Sequence, residues 1–133
     1  MTYMFYNCGK LAEINLKTFN TEKVTTMVGM FSGCTRLETI TFGDNFNTTI
    51  VTDMSYVFER CSSLTFIDLS KFNTKSVTTM AYMFYNCSKL EEINLETFNT
   101  EKVTTMEGMF AYCVKLTSLD LSQFKTPSLR TIA

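Results

Sequence analysis

The stretch 80–105, MAYMFYNCSKLEEINLETFNTEKVTT, carries two hydrophobic periods within one short span. Met80, Met83, Phe84 and Cys87 fall at i, i+3, i+4 and i+7. That spacing predicts one face of a short helix of about two turns. Thr78 and Thr79 stand just before it and can cap it by accepting a backbone N–H bond. Ile93 and Leu95 then alternate with Glu92, Asn94 and Glu96, the pattern of a half-buried strand. A second short extended piece is expected at Lys102-Val103-Thr104.

The same pattern recurs along the whole chain. Cys8, Cys34, Cys61, Cys87 and Cys113 are spaced by 26, 27, 26 and 26 residues. Each follows a Phe by three (Phe5, Phe31, Phe58, Phe84, Phe110) and precedes a Leu by three (Leu11, Leu37, Leu64, Leu90, Leu116). The strand positions come next: Ile14, Ile40, Ile67, Ile93 or Leu119, then Leu16, Phe42, Leu69, Leu95 or Leu121. A second Phe (19, 46, 72, 98, 124) and a Val or Leu (24, 51, 77, 103, 129) complete each unit. The single spacing of 27 comes from one extra residue near Gly43-Asp44-Asn45. Residues 2–31 and 81–110 differ at only five of 30 places, so the array grew by copying blocks.

A lone unit buries too little apolar surface to offset the entropy of ordering its backbone. Stacking repeats solves this by burying side chains between neighbours. The expected fold is therefore α/β: a right-handed leucine-rich-repeat-like solenoid, with a parallel β-sheet of one rung per repeat and short helical turns on the convex side. Residues 1–133 read as a single solenoid domain of five repeats, at 1–26, 27–53, 54–79, 80–105 and 106–131. Met1 falls at the register of Met27, and Ile132 at that of Met106. Solenoids normally close with atypical polar caps. Here only Lys125 and Pro127 set the last unit apart, which points to a segment of a longer array or to end-to-end self-association.

The repeat resembles that of the BspA-type leucine-rich-repeat surface proteins, whose pattern reads V-T-x-M-x-x-M-F-x-x-C-x-x-L-x-x-L-x-L-x-x-F-x-T. Here it stands as Val51-Thr52-Asp53-Met54-Ser55-Tyr56-Val57-Phe58, then Cys61, Leu64, Ile67, Leu69, Phe72, Asn73 and Thr74. The resemblance implies a cell-surface or secreted protein that adheres to host cells, matrix proteins or neighbouring microbes. Full-length members of that family look exported and anchored. The segment Met1–Tyr6 shows no basic region followed by an apolar one.

Charge and composition exclude other classes. Lys plus Arg total 12 against 13 Asp plus Glu, without the basic surplus that phosphate binding needs, so no nucleic-acid partner is expected. No apolar run approaches the ~18 residues of a membrane span. The chain has no His, which removes the commonest general base and any Ser-His or Cys-His pair. Gly29 and Gly33 fall within a predicted helical turn rather than a phosphate-cradling loop. Asp68 and Asp120 lie two rungs apart on an open face, a poor carboxylate pair. No enzyme activity, cofactor or metal is expected.

Several features have a structural reading beside a functional one. The odd number of cysteines, at repeat spacing and without Cys-x-x-Cys, reads as buried reduced thiols rather than disulfides or metal ligands. On adjacent helical turns their Cα atoms are expected beyond the ~7 Å limit for a bridge. The Met and Phe stripe, such as Met27, Met30 and Phe31, reads as core. The ladder of Asn20, Asn47, Asn73 and Asn99 with Thr21, Thr48, Thr74, Thr100 and Thr126 reads as satisfying backbone groups between coils. Asn47-Thr48-Thr49 and Asn86-Cys87-Ser88 match the weak glycosylation sequon. Tyr3, Tyr6, Tyr56, Tyr82, Tyr85 and Tyr112 read as partly buried between turns, with a sticky convex patch as the alternative. Gly43-Asp44-Asn45-Phe46-Asn47 reads as a loop absorbing the extra residue, since it lacks the spacing of a Ca²⁺ loop.

The candidate site is the outward strand face. Its residues are Glu13, Asn15, Thr39, Thr41, Phe66, Asp68, Glu92, Asn94, Ser118 and Asp120. They vary while the core does not, and such a face is the usual binding surface of a solenoid. Phe66 is an aromatic expected to face water, where it can anchor a partner. The expected function is binding of a protein or glycan on this face. The alternatives are a non-binding structural spacer and an intracellular protein-interaction scaffold, the latter suited to free thiols.

Overall fold

The computed structural model describes residues 1–131. Ile132, whose register was matched to Met106, lies outside the described residues. Two strands, β1 (Glu13–Leu16) and β2 (Thr39–Phe42), pair in parallel with Ile14 opposite Ile40 and Leu16 opposite Phe42. The alternation expected of them holds in β1: Ile14 and Leu16 are buried, Glu13 and Asn15 exposed. A second set of parallel bridges links Thr26 to Asp53, Asp53 to Thr79, Thr79 to Thr105 and Thr105 to Thr131, one residue per unit. Beside it, Thr78 N–H donates to Thr52 O and Thr104 N–H to Thr78 O, both at 2.8 Å. The second extended piece is therefore real, and sits at the 104–106 register rather than at 102–104.

The expected helices are corrected. Among the described residues there is none. The segment 80–87 is a run of tight turns. Met83, Tyr85 and Cys87 N–H groups donate to Met80, Tyr82 and Phe84 O, each three residues back. The amides between them point to the next unit: Tyr82, Phe84 and Asn86 N–H donate to Glu107, Met109 and Ala111 O at 2.7–2.9 Å. A helix would use all these amides internally. Instead the chain takes left-handed φ at Tyr82 (56°) and Asn86 (57°), which ends each turn and swings the alternate N–H outward. The same two positions are Tyr3 and Asn7, Gly29 and Gly33, Tyr56 and Arg60, and Gly108 and Tyr112. An i, i+3, i+4, i+7 stripe is common to a helix and to consecutive turns, so the core face survives the change of backbone. Thr79 Oγ1 still accepts Ala81 N–H at 3.3 Å, a cap without a helix behind it.

The expectation of a five-rung sheet is also corrected: among the described residues only β1 and β2 form strands. The equivalent runs at 66–69, 92–95 and 118–121 are not strands, although just before them Glu91 N–H donates to Thr65 O at 3.0 Å. Asp68, Asn94 and Asp120 each accept the N–H two residues on at an Oδ1 (2.8–2.9 Å), the Asx bond that Asn15 of β1 also makes at 3.0 Å.

The core is a set of columns. Phe5, Phe31, Phe58, Phe84 and Phe110 stack nearly parallel, with centroids 5.3–5.6 Å apart from unit to unit. That spacing is much closer than the 8–10 Å of packed helices. Cys34, Cys61, Cys87 and Cys113 are buried and free, and their thiols donate to the carbonyls of Phe5, Phe31, Phe58 and Phe84 at 3.0–3.2 Å. Burial pushes the Cys34 thiol up to about 11 and Cys61 well above its ordinary value, so both are inert as nucleophiles at neutral pH.

Thr21, Thr48, Thr74 and Thr100 form a second buried column. Thr48 Oγ1 donates to Asn73 O (2.8 Å) and accepts Asn73 N–H (2.7 Å). Thr21 and Thr74 do the same with Asn47 and Asn99. The asparagines meanwhile cap their own turns, as Asn47 Oδ1 does with Thr49 N–H at 2.8 Å. The Asn and Thr ladder thus divides its labour: Thr joins unit to unit, Asn closes the loop within a unit.

The extra residue of unit two is absorbed at Gly43, which is buried directly against the chain of unit one. A Cβ there would lie 2.2 Å from Lys17 O and 2.6 Å from Lys17 Cα, both backbone atoms. Gly43→Ala is expected to lower stability by roughly 1–3 kcal/mol, because no side-chain rotation relieves the overlap. Gly9→Ala, whose nearest neighbour is the Thr35 hydroxyl at 3.2 Å, is the control. Equal urea midpoints for the two variants would contradict this close approach.

Candidate functional site

All ten residues singled out on the strand face are exposed. Glu13, Asn15, Thr39 and Thr41 stand side by side on β1 and β2, with Glu13 opposite Thr39 and Asn15 opposite Thr41. Further along, two shallow grooves gather the others. One, of about 130 Å³, is lined by Phe66, Asp68, Ser70, Asn94 and Thr97. The next, of about 300 Å³, is lined by Ile93, Asn94, Leu95, Glu96, Asp120, Ser122 and Gln123. Asn94 borders both. Glu92 and Ser118 are exposed but line neither groove.

Ser70, Thr97, Glu96, Ser122 and Gln123 are groove residues that reading the strand alternation alone misses. A signal for three of them exists. Ser70, Glu96 and Ser122 each follow an Asn or Asp by two, the spacing at which an Asx turn brings its far residue around.

The Asx turns shape the electrostatics. Asn15 Oδ1 accepts Lys17 N–H at 3.0 Å, and the same bond recurs at Asp68, Asn94 and Asp120. These bonds fix the orientation of each side chain. The Ser70 N–H holds the Asp68 carboxyl below the usual carboxylate range, and the Ser122 N–H does so for Asp120. Both are anions at neutral pH. Phe66, 53% exposed, stands at the edge of this polar row. The combination offers fixed hydrogen-bond acceptors, one amide donor and one apolar ring face. That is suited to recognition of hydroxyl or amide groups beside an apolar surface.

The other candidates have structural roles. In the 43–47 loop, Asp44 Oδ1 accepts Lys71 Nζ at 2.8 Å, and that ammonium holds the Asp44 carboxyl below its ordinary value. Among the described residues, no three His, Cys, Asp or Glu side chains are grouped to hold a metal ion. Likewise, no helix there is long and apolar enough to cross a membrane. On the turn side, Tyr3, Tyr6 and Tyr112 are exposed, while Tyr56, Tyr82 and Tyr85 are half-buried.

Residues 1–124 match the family described as "Mycoplasma protein of unknown function, DUF285". No curated protein matches the chain. The crystal structure of a T. pallidum leucine rich repeat protein is similar, with a TM-score of 0.58 at 23% sequence identity. The likeness covers 86% of this chain and 48% of that one, so this chain spans about half the length of that protein. At that identity the likeness is one of fold: repeats of leucine-rich-repeat kind, with parallel pairing.

Proposed function

The chain belongs to the family of Mycoplasma proteins of unknown function, DUF285, and from that premise we propose that it is a binding segment of a cell-surface or secreted adhesion-type protein. In this reading the five units form one right-handed solenoid domain with a BspA-type repeat, and the strand face takes a protein or glycan. The observation that carries it is the pair of grooves meeting at Asn94, with exposed Phe66 beside the pre-oriented carboxylates of Asp68 and Asp120. A constant core of stacked rings and threonines leaves this face free to change without loss of fold. Catalysis is no part of the reading. The face is open to water, and the chain has no His to serve as a base.

The test is the combined variant Phe66→Ala, Asp68→Asn, Asn94→Asp, chosen because Asn and Asp both keep the Asx turn. Binding to immobilised matrix proteins, to a glycan array and to host cells is measured beside an unfolding curve. Loss of about tenfold in affinity, some 1.4 kcal/mol, is expected with the unfolding midpoint unchanged. Unaltered binding by the folded variant would remove the strand face from consideration. Absence of binding by the parent chain to every surface would leave the spacer reading.

A further inference from the structure

A further cavity, of about 430 Å³, opens on the turn side and is lined by Tyr3, Tyr6, Tyr56 and Glu59. None of these belongs to the strand face. Its origin lies in the repeat register. One column of side chains runs Tyr3, Gly29, Tyr56, Tyr82, Gly108, and the adjacent column runs Tyr6, Ser32, Glu59, Tyr85, Ala111. Unit two supplies only Gly29 and Ser32, so the Tyr3 ring settles over Gly29 and open space remains between the tyrosines of unit one and Tyr56 and Glu59 of unit three.

The walls of the gap are ordered. Tyr3 and Tyr6 meet edge to face, with centroids 5.2 Å apart and planes at 72°, and so form a corner. The Tyr3 ring lies over Gly29, where a Cβ would come within 2.2 Å of it, so only glycine gives it that seat. Tyr56 is held from behind by parallel stacking on Tyr82 at 5.2 Å. Tyr82 is itself tied down by its hydroxyl bond to Glu107. The Glu59 carboxylate is fixed by the Ser32 hydroxyl, which donates to Oε2 at 2.7 Å. Its Oε1 has a loose contact of 3.6 Å with the exposed Arg60 guanidinium.

We propose that this cavity is a binding site for a small alkylammonium cation, with Tyr3, Tyr6 and Tyr56 as its aromatic walls and Glu59 as its counter-charge. Rings attract a cation through their faces, and a nearby carboxylate selects the charged ligand over a neutral one of the same shape. The local potential fits. Burial first, and then the negative charges of Glu59, Glu107 and Asp53, raise the Tyr56 hydroxyl above its ordinary pKa. A negative field that disfavours tyrosinate favours a cation. The cavity volume of about 430 Å³ leaves room for a small alkylammonium head, and the site is independent of the strand-face reading.

The experiment titrates the intact chain with choline and tetramethylammonium, and with 3,3-dimethylbutanol as the neutral isostere of choline. Tyrosine fluorescence and ligand NMR line broadening are the readouts. Both cations are expected to bind and the alcohol not. Tyr56→Leu keeps the apolar volume and is expected to weaken binding about fivefold. Glu59→Gln is expected to weaken it about threefold, and Tyr112→Leu, outside the cavity, to leave it unchanged. Vesicles of phosphatidylcholine against phosphatidylglycerol distinguish a lipid headgroup from a free cation as the source. Equal binding of the alcohol, no cation binding up to 100 mM added ligand, or full binding by folded Tyr56→Leu would each overturn the site.

Discussion

Phe58→Ala is expected to lower unfolding stability by about 3–5 kcal/mol. Phe58 is fully buried at the centre of the ring column. It stacks on Phe31 at 5.5 Å and on Phe84 at 5.3 Å, and leans on Phe72 at 6.2 Å. Truncation removes the apolar area of one ring, two stacked contacts and a packing wall shared by three units. The column cannot close over the hole, because the ring positions are set by backbone bonds. Phe31 N–H is held by Val57 O and Phe58 N–H by Met83 O, both at 2.9 Å. Against a total of about 5–15 kcal/mol for an ordinary domain, a loss of that size is a large share. In a stack whose stability is a sum of neighbour terms, it also weakens the array in the middle, on both sides at once. Urea unfolding followed by circular dichroism measures it. Phe110→Ala is the comparison: that ring is half-buried and stacks on Phe84 at 5.5 Å, so about half the loss is expected. Equal losses at the two positions would show that the stacked column carries no special weight.

That column was legible before any coordinates, because the sequence repeats its apolar residues at a fixed register. Met27, Met30, Phe31, Cys34 and Leu37 are all fully buried, as their recurrence implies. The backbone that carries them was less legible, since hydrophobic spacing reports which side chains face the core and not which hydrogen bonds hold them. Turn chemistry offered a better clue. Gly29, Gly33, Asn7, Asn86 and Gly108 occupy half of the left-handed positions, and Gly and Asn are the residues that tolerate them. Tyr3, Tyr56, Arg60, Tyr82 and Tyr112 occupy the other half and carry no such signal, so the break at each turn was only partly legible. The strand face has the same history. Asn15, Asp68, Asn94 and Asp120 are poor strand formers and good turn formers, and each closes an Asx bond, Asn15 from within β1 and the other three outside any strand. Their exposure followed from alternation. The grooves between them did not, because those depend on how far each Asx turn swings the following residues outward. The tyrosine cavity was hidden for another reason: it depends on two small residues, Gly29 and Ser32, falling between the tyrosines of unit one and Tyr56 and Glu59 of unit three.

Thr74→Val is the second large effect, expected to lower stability by about 2–4 kcal/mol with almost no change in volume. The Thr74 side chain is buried. Its Oγ1 donates to Asn99 O at 2.9 Å and accepts Asn99 N–H at 2.8 Å. Valine replaces that hydroxyl with a methyl, leaving a backbone donor and a backbone acceptor of unit four facing carbon. The lost bonds matter less than the desolvated groups left behind, each of which costs about 1–3 kcal/mol when it finds no water. Thr74→Ser retains both bonds and gives up only a methyl, so its expected loss is under about 1 kcal/mol. Thr100→Val is expected to lie between them, since Thr100 Oγ1 donates to Lys125 O at 2.8 Å in the last unit, where Lys replaces Asn. Chemical unfolding of the three variants gives the order, and amide exchange at Asn99 gives the mechanism. If valine and serine at 74 proved equally mild, water would have to reach Asn99. The threonine column would then be a spacer rather than the bond that joins one unit to the next.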